Sequence, residues 1–79
     1  MKLSITTLQG IKFEGEINSV NLKTTSGEIT VLDNHRPLIT QLEKGEAIIV
    51  KENGDKINFN IEAGFLEIGE DNQATILTN

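Results

Sequence analysis

The residues with chemical range lie in one stretch, Ser26-Gly27-Glu28-Ile29-Thr30-Val31-Leu32-Asp33-Asn34-His35-Arg36-Pro37-Leu38, which holds the chain's only histidine. A serine–histidine–aspartate set can be written from Ser26, His35 and Asp33. No nucleophile elbow and no oxyanion loop accompany it. Metal ligation lacks a donor set, because there is no second histidine and no cysteine. Gly27 and Gly54 stand alone, so no glycine-rich loop cradles a phosphate. No paired groups of the kind that acid–base catalysis needs stand out. Taken singly, Glu28 reads as a solvated turn charge and His35 as a polar loop residue bonding a backbone carbonyl.

The flanking residues predict how these side chains are held. Gly27 supplies a turn position that tolerates positive φ. Ile29 and Val31 alternate with Thr30, which predicts a short strand with one apolar face. Asp33 and Asn34 are expected to cap a turn with their own side chains, and Pro37 bars a central-strand place. The expected result is a rigid loop carrying Glu28, Asp33, His35 and Arg36 outward while Ile29, Val31 and Leu38 point in.

The rest of the chain repeats the strand pattern. Lys2 to Thr7 alternates around Leu3 and Ile5. Ile11, Phe13, Gly15 and Ile17 continue the alternation after a Gln9-Gly10 turn. The phase then slips, since Val20 follows Ile17 by three, and a bulge near Asn18-Ser19 repairs it. A long bent strand of this kind lets one segment serve two sheets. Lys23 to Gly27 reads as a polar loop. Leu38, Ile39 and Leu42 are expected to bury a short segment. Glu46 to Val50 and Lys56 to Ile61 flank Glu52-Asn53-Gly54-Asp55, a strong hairpin signal.

Two registers compete there. A two-residue Asn53-Gly54 turn sets Lys51 against Lys56. A three-residue loop with Gly54 left-handed sets Lys51 against Asp55, which opposed charges favour by about 0.2–1 kcal/mol. The second also puts Ala47, Ile49, Ile57, Phe59 and Ile61 on one face. Phe65 to Ile68 and Gln73 to Thr78 close the chain as strands, and the three phenylalanines, Phe13, Phe59 and Phe65, are assigned to the core. No stretch shows helical periodicity. The fold class is all-β, a small two-sheet sandwich or flattened barrel of about eight short strands in a single domain over 1–79.

Composition narrows the partners. A chain of 79 residues buries only about 60–65% of the surface its unfolded form exposes, so packing alone supplies a thin margin. Seven basic against twelve acidic residues give a net charge of −5, which repels nucleic acid and disfavours anionic lipid. A partner with a basic loop fits better. No apolar run reaches membrane-span length and no signal-peptide pattern opens the chain, so a cytoplasmic protein reaching a membrane only through another protein is expected.

The ordered motifs resemble the epsilon subunit of F-type ATP synthases. Gly-Glu-Ile-Thr-Val-Leu-x-x-His-x-Pro-Leu, from Gly27, is similar to that family's turn. So are Met1 to Thr7 followed by Gly10, Phe13 to Val20, Ala63 to Ile68 and Ala74 to Leu77, and together they span nearly the whole chain. The resemblance implies a sandwich of about ten strands in a non-catalytic rotor subunit without cofactor. It implies clamping to the gamma subunit and contact with the polar loops of the membrane c-ring, on the cytoplasmic face of the membrane. Glu28 matches the acidic position facing the c-ring loops, His35 the histidine of the same turn, and Asp33 and Arg36 lie beside them. The gamma-facing edge is expected around Leu8 and Gln9. Asp33 stands where the family has proline. Members commonly continue into a C-terminal helical hairpin that carries inhibition and, in some, nucleotide binding; neither is assigned to a sequence that stops at Asn79. The alternatives are a free-standing β-sandwich protein-binding module and, weaker, an enzyme.

Overall fold

The alternation along the chain becomes eight strands and no helix. In the computed structural model, which describes residues 1–79, β1 spans Lys2–Thr7, β2 Gly10–Thr24, β3 Gly27–Leu32, β4 Leu38–Leu42, β5 Gly45–Lys51, β6 Lys56–Ile61, β7 Gly64–Ile68 and β8 Gln73–Thr78. The all-β class holds, with eight strands rather than the ten that the resemblance implies.

The fold turns on β2, whose 15 residues serve both layers. Its first half pairs antiparallel with β1, and its second half is flanked by β3 on one edge and β5 on the other. One layer continues from β1 through β8, β7 and β4, with β1 and β8 parallel. The other runs β3, β2, β5, β6. Thr24 at the end of β2 pairs Leu42 of β4 and joins the layers into a flattened barrel.

Fifteen buried apolar residues fill the space between the layers, with every strand contributing. Leu3, Ile5, Val20, Val31, Ile49, Leu66 and Ile76 are fully enclosed, each worth about 1.5–3 kcal/mol of transfer from water. No buried side-chain polar atom lacks a partner.

The bulge read from the phase slip is present: the β2–β5 register shifts between Ile17 and Ser19, which keeps Ile17, Val20 and Leu22 all buried. A second bulge departs from the expectation. Ile5 pairs Phe13 but Thr6 pairs Ile11, so Lys12 is an extra residue and Ile11 turns outward, 60% exposed.

Two further apolar residues face solvent against expectation. In β4 the inward positions are Leu38, Thr40 and Leu42, which leaves Ile39 exposed. In β7 the inward pair is Leu66 and Ile68, so Phe65 is exposed, while Phe13 and Phe59 pack against the core. Strict alternation decides both, because consecutive residues of a strand cannot share a face.

The expected polar loop from Lys23 to Gly27 is instead a tight hairpin. β2 and β3 pair as far as Thr24 opposite Gly27. The buried Thr24 hydroxyl donates to the Gly27 carbonyl at 2.7 Å and accepts the Ser26 N–H at 3.1 Å. Gly27 takes φ +124°, a conformation that side chains resist.

Candidate functional site

The chemically varied residues are placed by the two ends of β3, and differently. Glu28 sits at the start of β3 beside the hairpin. Asp33, His35 and Arg36 follow its far end. Four residue steps along the strand, about 13 Å, separate Glu28 from Leu32. Thus Asp33, His35 and Arg36 share one turn, all exposed, whereas Glu28 stands apart from them on the outer face of β3. Val31 is buried between the layers, with Ile29 and Leu38 half-buried against the core, as the alternation predicts.

The turn after β3 is tied to distant parts of the chain rather than capped by its own side chains. Asn34 takes a left-handed φ of 61° and its N–H donates to Asn72 Oδ1 at 2.7 Å. The β7–β8 turn that supplies Asn72 is itself bound to β1 through Lys2 N–H and Asn72 O at 3.2 Å. Asp33 Oδ1 accepts from the Met1 α-ammonium, which also donates to the Ile17 carbonyl at 3.1 Å. That ammonium holds the Asp33 carboxyl below its ordinary value of 3.8, with a smaller contribution from Asn72. The Met1 and Asn72 contacts lie 32 and 38 residues away in sequence from their partners, so no local signal announces them. Asparagine in a turn, at φ 59° here, is the only hint.

His35 Nδ1–H donates to the Arg36 carbonyl at 2.7 Å, the backbone contact read for a loop histidine. A carbonyl cannot donate, so the bond sets the tautomer and leaves Nε2 to solvent. At the other end of β3, Asn21 Nδ2 donates to both Glu28 Oε2 at 3.1 Å and Thr30 Oγ1 at 2.9 Å.

A second feature lies on the outer face of the layer that holds β1, β8, β7 and β4. Leu77 pairs both Phe65 and Thr6, and Thr6 pairs Ile11. Ile11, Thr6, Leu77 and Phe65 therefore form a row across β2, β1, β8 and β7, whose three apolar members are each at least half exposed. Leu8, 99% exposed at the tip of the β1–β2 turn, lines one shallow hollow with Phe65 and Leu77. The next row carries Glu67 and Glu14, with Ile39 at its end. An apolar row bordered by carboxylates suits a protein surface that is apolar with basic flanks. The largest hollow, about 540 Å³, adjoins Leu8 and Phe59, and Lys12 is its single ionisable side chain.

Comparison with known proteins agrees on what this shell is. The sequence matches, over residues 1–79, the family described as ATP synthase, Delta/Epsilon chain, beta-sandwich domain. It is 42% identical over 71 residues to the ATP synthase epsilon chain of Endomicrobium trichonymphae, covering 90% of this chain and 51% of that one. It is 31% identical over 77 residues to the ATP synthase epsilon chain of a Sulfurovum species, covering 98% and 60%. Its coordinates superpose on a chain of the Euglena gracilis mitochondrial ATP synthase, from a structure of OSCP, F1 and the c-ring, with a TM-score of 0.90 and 26% identity, covering 96% of this chain and 48% of that one. The chain thus spans about half the length of the relatives it matches.

Proposed function

We propose, because the chain belongs to the ATP synthase delta/epsilon chain β-sandwich family, that it is a non-catalytic central-stalk subunit of an F-type ATP synthase. It grips the gamma subunit, touches the polar loops of the c-ring, and helps couple ion translocation to ATP synthesis. It sits at the cytoplasmic face of the membrane, peripheral, and meets the membrane only through the complex.

The observation that carries the reading is the unpartnered apolar row of Ile11, Leu77 and Phe65 with Leu8 beside it. A small shell with so much of its apolar surface on one outer face is suited to a lasting partner. The Leu8 and Gln9 edge that the resemblance assigns to gamma adjoins this row. The c-ring contact is assigned to Glu28, Asp33, His35 and Arg36. Asp33 is the least available of the four, since the Met1 ammonium already engages one of its oxygens. Glu28 and His35 carry the contact in this reading, with Arg36 beside His35.

A pull-down from native membranes with the tagged protein tests the assignment. Recovery of a gamma subunit together with the catalytic head supports the stalk role. Recovery of an unrelated protein, with no synthase subunits, replaces it with a free-standing binding module.

A further inference from the structure

Glu28 is held by a neutral group although a cation stands directly opposite it. In the β2–β3 ladder Glu28 pairs Lys23, a position where opposite charges ordinarily meet across the strands. No ion pair forms between them; the chain's two ion pairs are Met1–Asp33 and Lys44–Glu62. The Lys23 stem lies instead over Gly45, close enough that a Cβ at Gly45 would meet Lys23 Cδ at 3.0 Å. The carboxylate takes its hydrogen bond from the diagonal neighbour: Asn21 Nδ2 reaches Glu28 Oε2 at 3.1 Å. The same nitrogen donates to Thr30 Oγ1 at 2.9 Å, and Thr30 stands directly across from Asn21. The carboxamide is therefore anchored on one side and holds the acid with the other.

We propose that Asn21 is a positioning residue for Glu28. Its carboxamide fixes the carboxylate on the outer face of β3 while Lys23, laid across Gly45, leaves the negative charge unneutralised for a cationic partner loop. A neutral donor orients an anion without cancelling its charge, whereas a lysine partner would do both. Glu28 meets its partner already ordered, so less side-chain freedom is lost on binding. The inference rests on the reading above that Glu28 faces a partner in the stalk assembly.

The test uses the intact synthase carrying Asn21→Ala, Glu28→Gln or both, reconstituted in vesicles, with ions pumped per ATP hydrolysed as the readout. Urea unfolding of each variant chain accompanies it. Asn21→Ala is expected to lower coupling by about two- to fivefold, Glu28→Gln by at least as much, and the double variant no further than Glu28→Gln alone. Asn21→Asp, isosteric but without the donor, is expected to lose at least as much as Asn21→Ala. Losses that multiply in the double variant show that Asn21 acts independently and overturn the inference. So does unchanged coupling in Asn21→Ala while Glu28→Gln loses it. Unchanged coupling in Glu28→Gln removes Glu28 from the contact and the positioning role with it, a signature distinct from failure of Asn21 alone.

Discussion

Lys51 donates its backbone N–H to the Asp55 carbonyl at 2.8 Å, and Gly54 N–H returns to the Lys51 carbonyl at 2.9 Å. This closes a three-residue loop and sets Ile49 opposite Ile57 and Ala47 opposite Phe59. The register is the one that places Ala47, Ile49, Ile57, Phe59 and Ile61 toward the core. The opposed charges that favoured it do not form an ion pair. Asp55 Oδ2 accepts from Asn53 Nδ2 at 3.1 Å instead, while Asp55 N–H donates to Asn53 Oδ1 at 3.0 Å. Turn geometry, with Gly54 at φ +93°, holds the register.

Gly54→Ala isolates that backbone term. A Cβ at Gly54 meets nothing within 4 Å, so strain at positive φ is the whole effect. A loss of about 1–2 kcal/mol is expected, read from the shift of the urea midpoint at constant slope. An unchanged midpoint would show that the loop relaxes freely.

Gly64→Ala has a different cause and a larger effect. Its Cβ would overlap the Leu77 carbonyl oxygen, which is backbone and cannot rotate away. β7 and β8 pair from Gly64 opposite Thr78, so the strands must part. A loss of about 3 kcal/mol or more is expected, enough to unfold much of so small a chain at ambient temperature. Circular dichroism against temperature reads it directly.

Asp33→Asn tests the Met1 contact. The carboxyl is depressed in the folded chain, chiefly by its hydrogen bond to the Met1 ammonium. Above the ordinary value of 3.8 the group is charged whether folded or not, and the contact contributes in full. As pH falls from there through the lower folded value, the contribution fades. The variant is expected to be less stable than the parent at pH 7, with the gap narrowing in acid. A gap that persists unchanged at low pH would assign the loss to something other than the charge.

Phe65→Ser bears on the apolar row. Phe65 is 53% exposed, so nearly half of the ring is still covered and a loss of about 1–2 kcal/mol is expected, too little to unfold the chain. Retention on the gamma subunit is expected to fall by about tenfold or more if the row is the contact. Equal retention by parent and variant would move the contact elsewhere.

Glu28→Lys reverses the sign of one exposed charge on the outer face of β3. Coupling of ion flow to synthesis is expected to weaken while the melting temperature of the isolated chain stays nearly the same. Vesicle assays on the assembled complex measure the first, calorimetry the second.

By itself the sequence determined the all-β strand pattern and the bulge at Asn18, because each follows from local alternation or a phase slip within a few residues. It left two registers competing at Asn53-Gly54, which the loop geometry decided. The family motifs were legible for the same reason, as short runs in order. Tertiary structure alone decided that Ile11 faces outward, since the extra residue Lys12 arises in the pairing of β2 with β1. It alone decided that Leu38 and Leu66 face inward, from which the exposure of Ile39 and Phe65 follows by alternation. It alone joined Met1 to Asp33 and Asn72 to Asn34. It also gave Glu28 a hydrogen bond from the diagonal Asn21 rather than an ion pair with the Lys23 opposite it. The Met1–Asp33 and Asn34–Asn72 contacts join segments 32 and 38 residues apart, so no local pattern carries them. The Asn21–Glu28 contact crosses one hairpin, but the choice of Asn21 over Lys23 depends on the Lys23 stem lying over the distant Gly45.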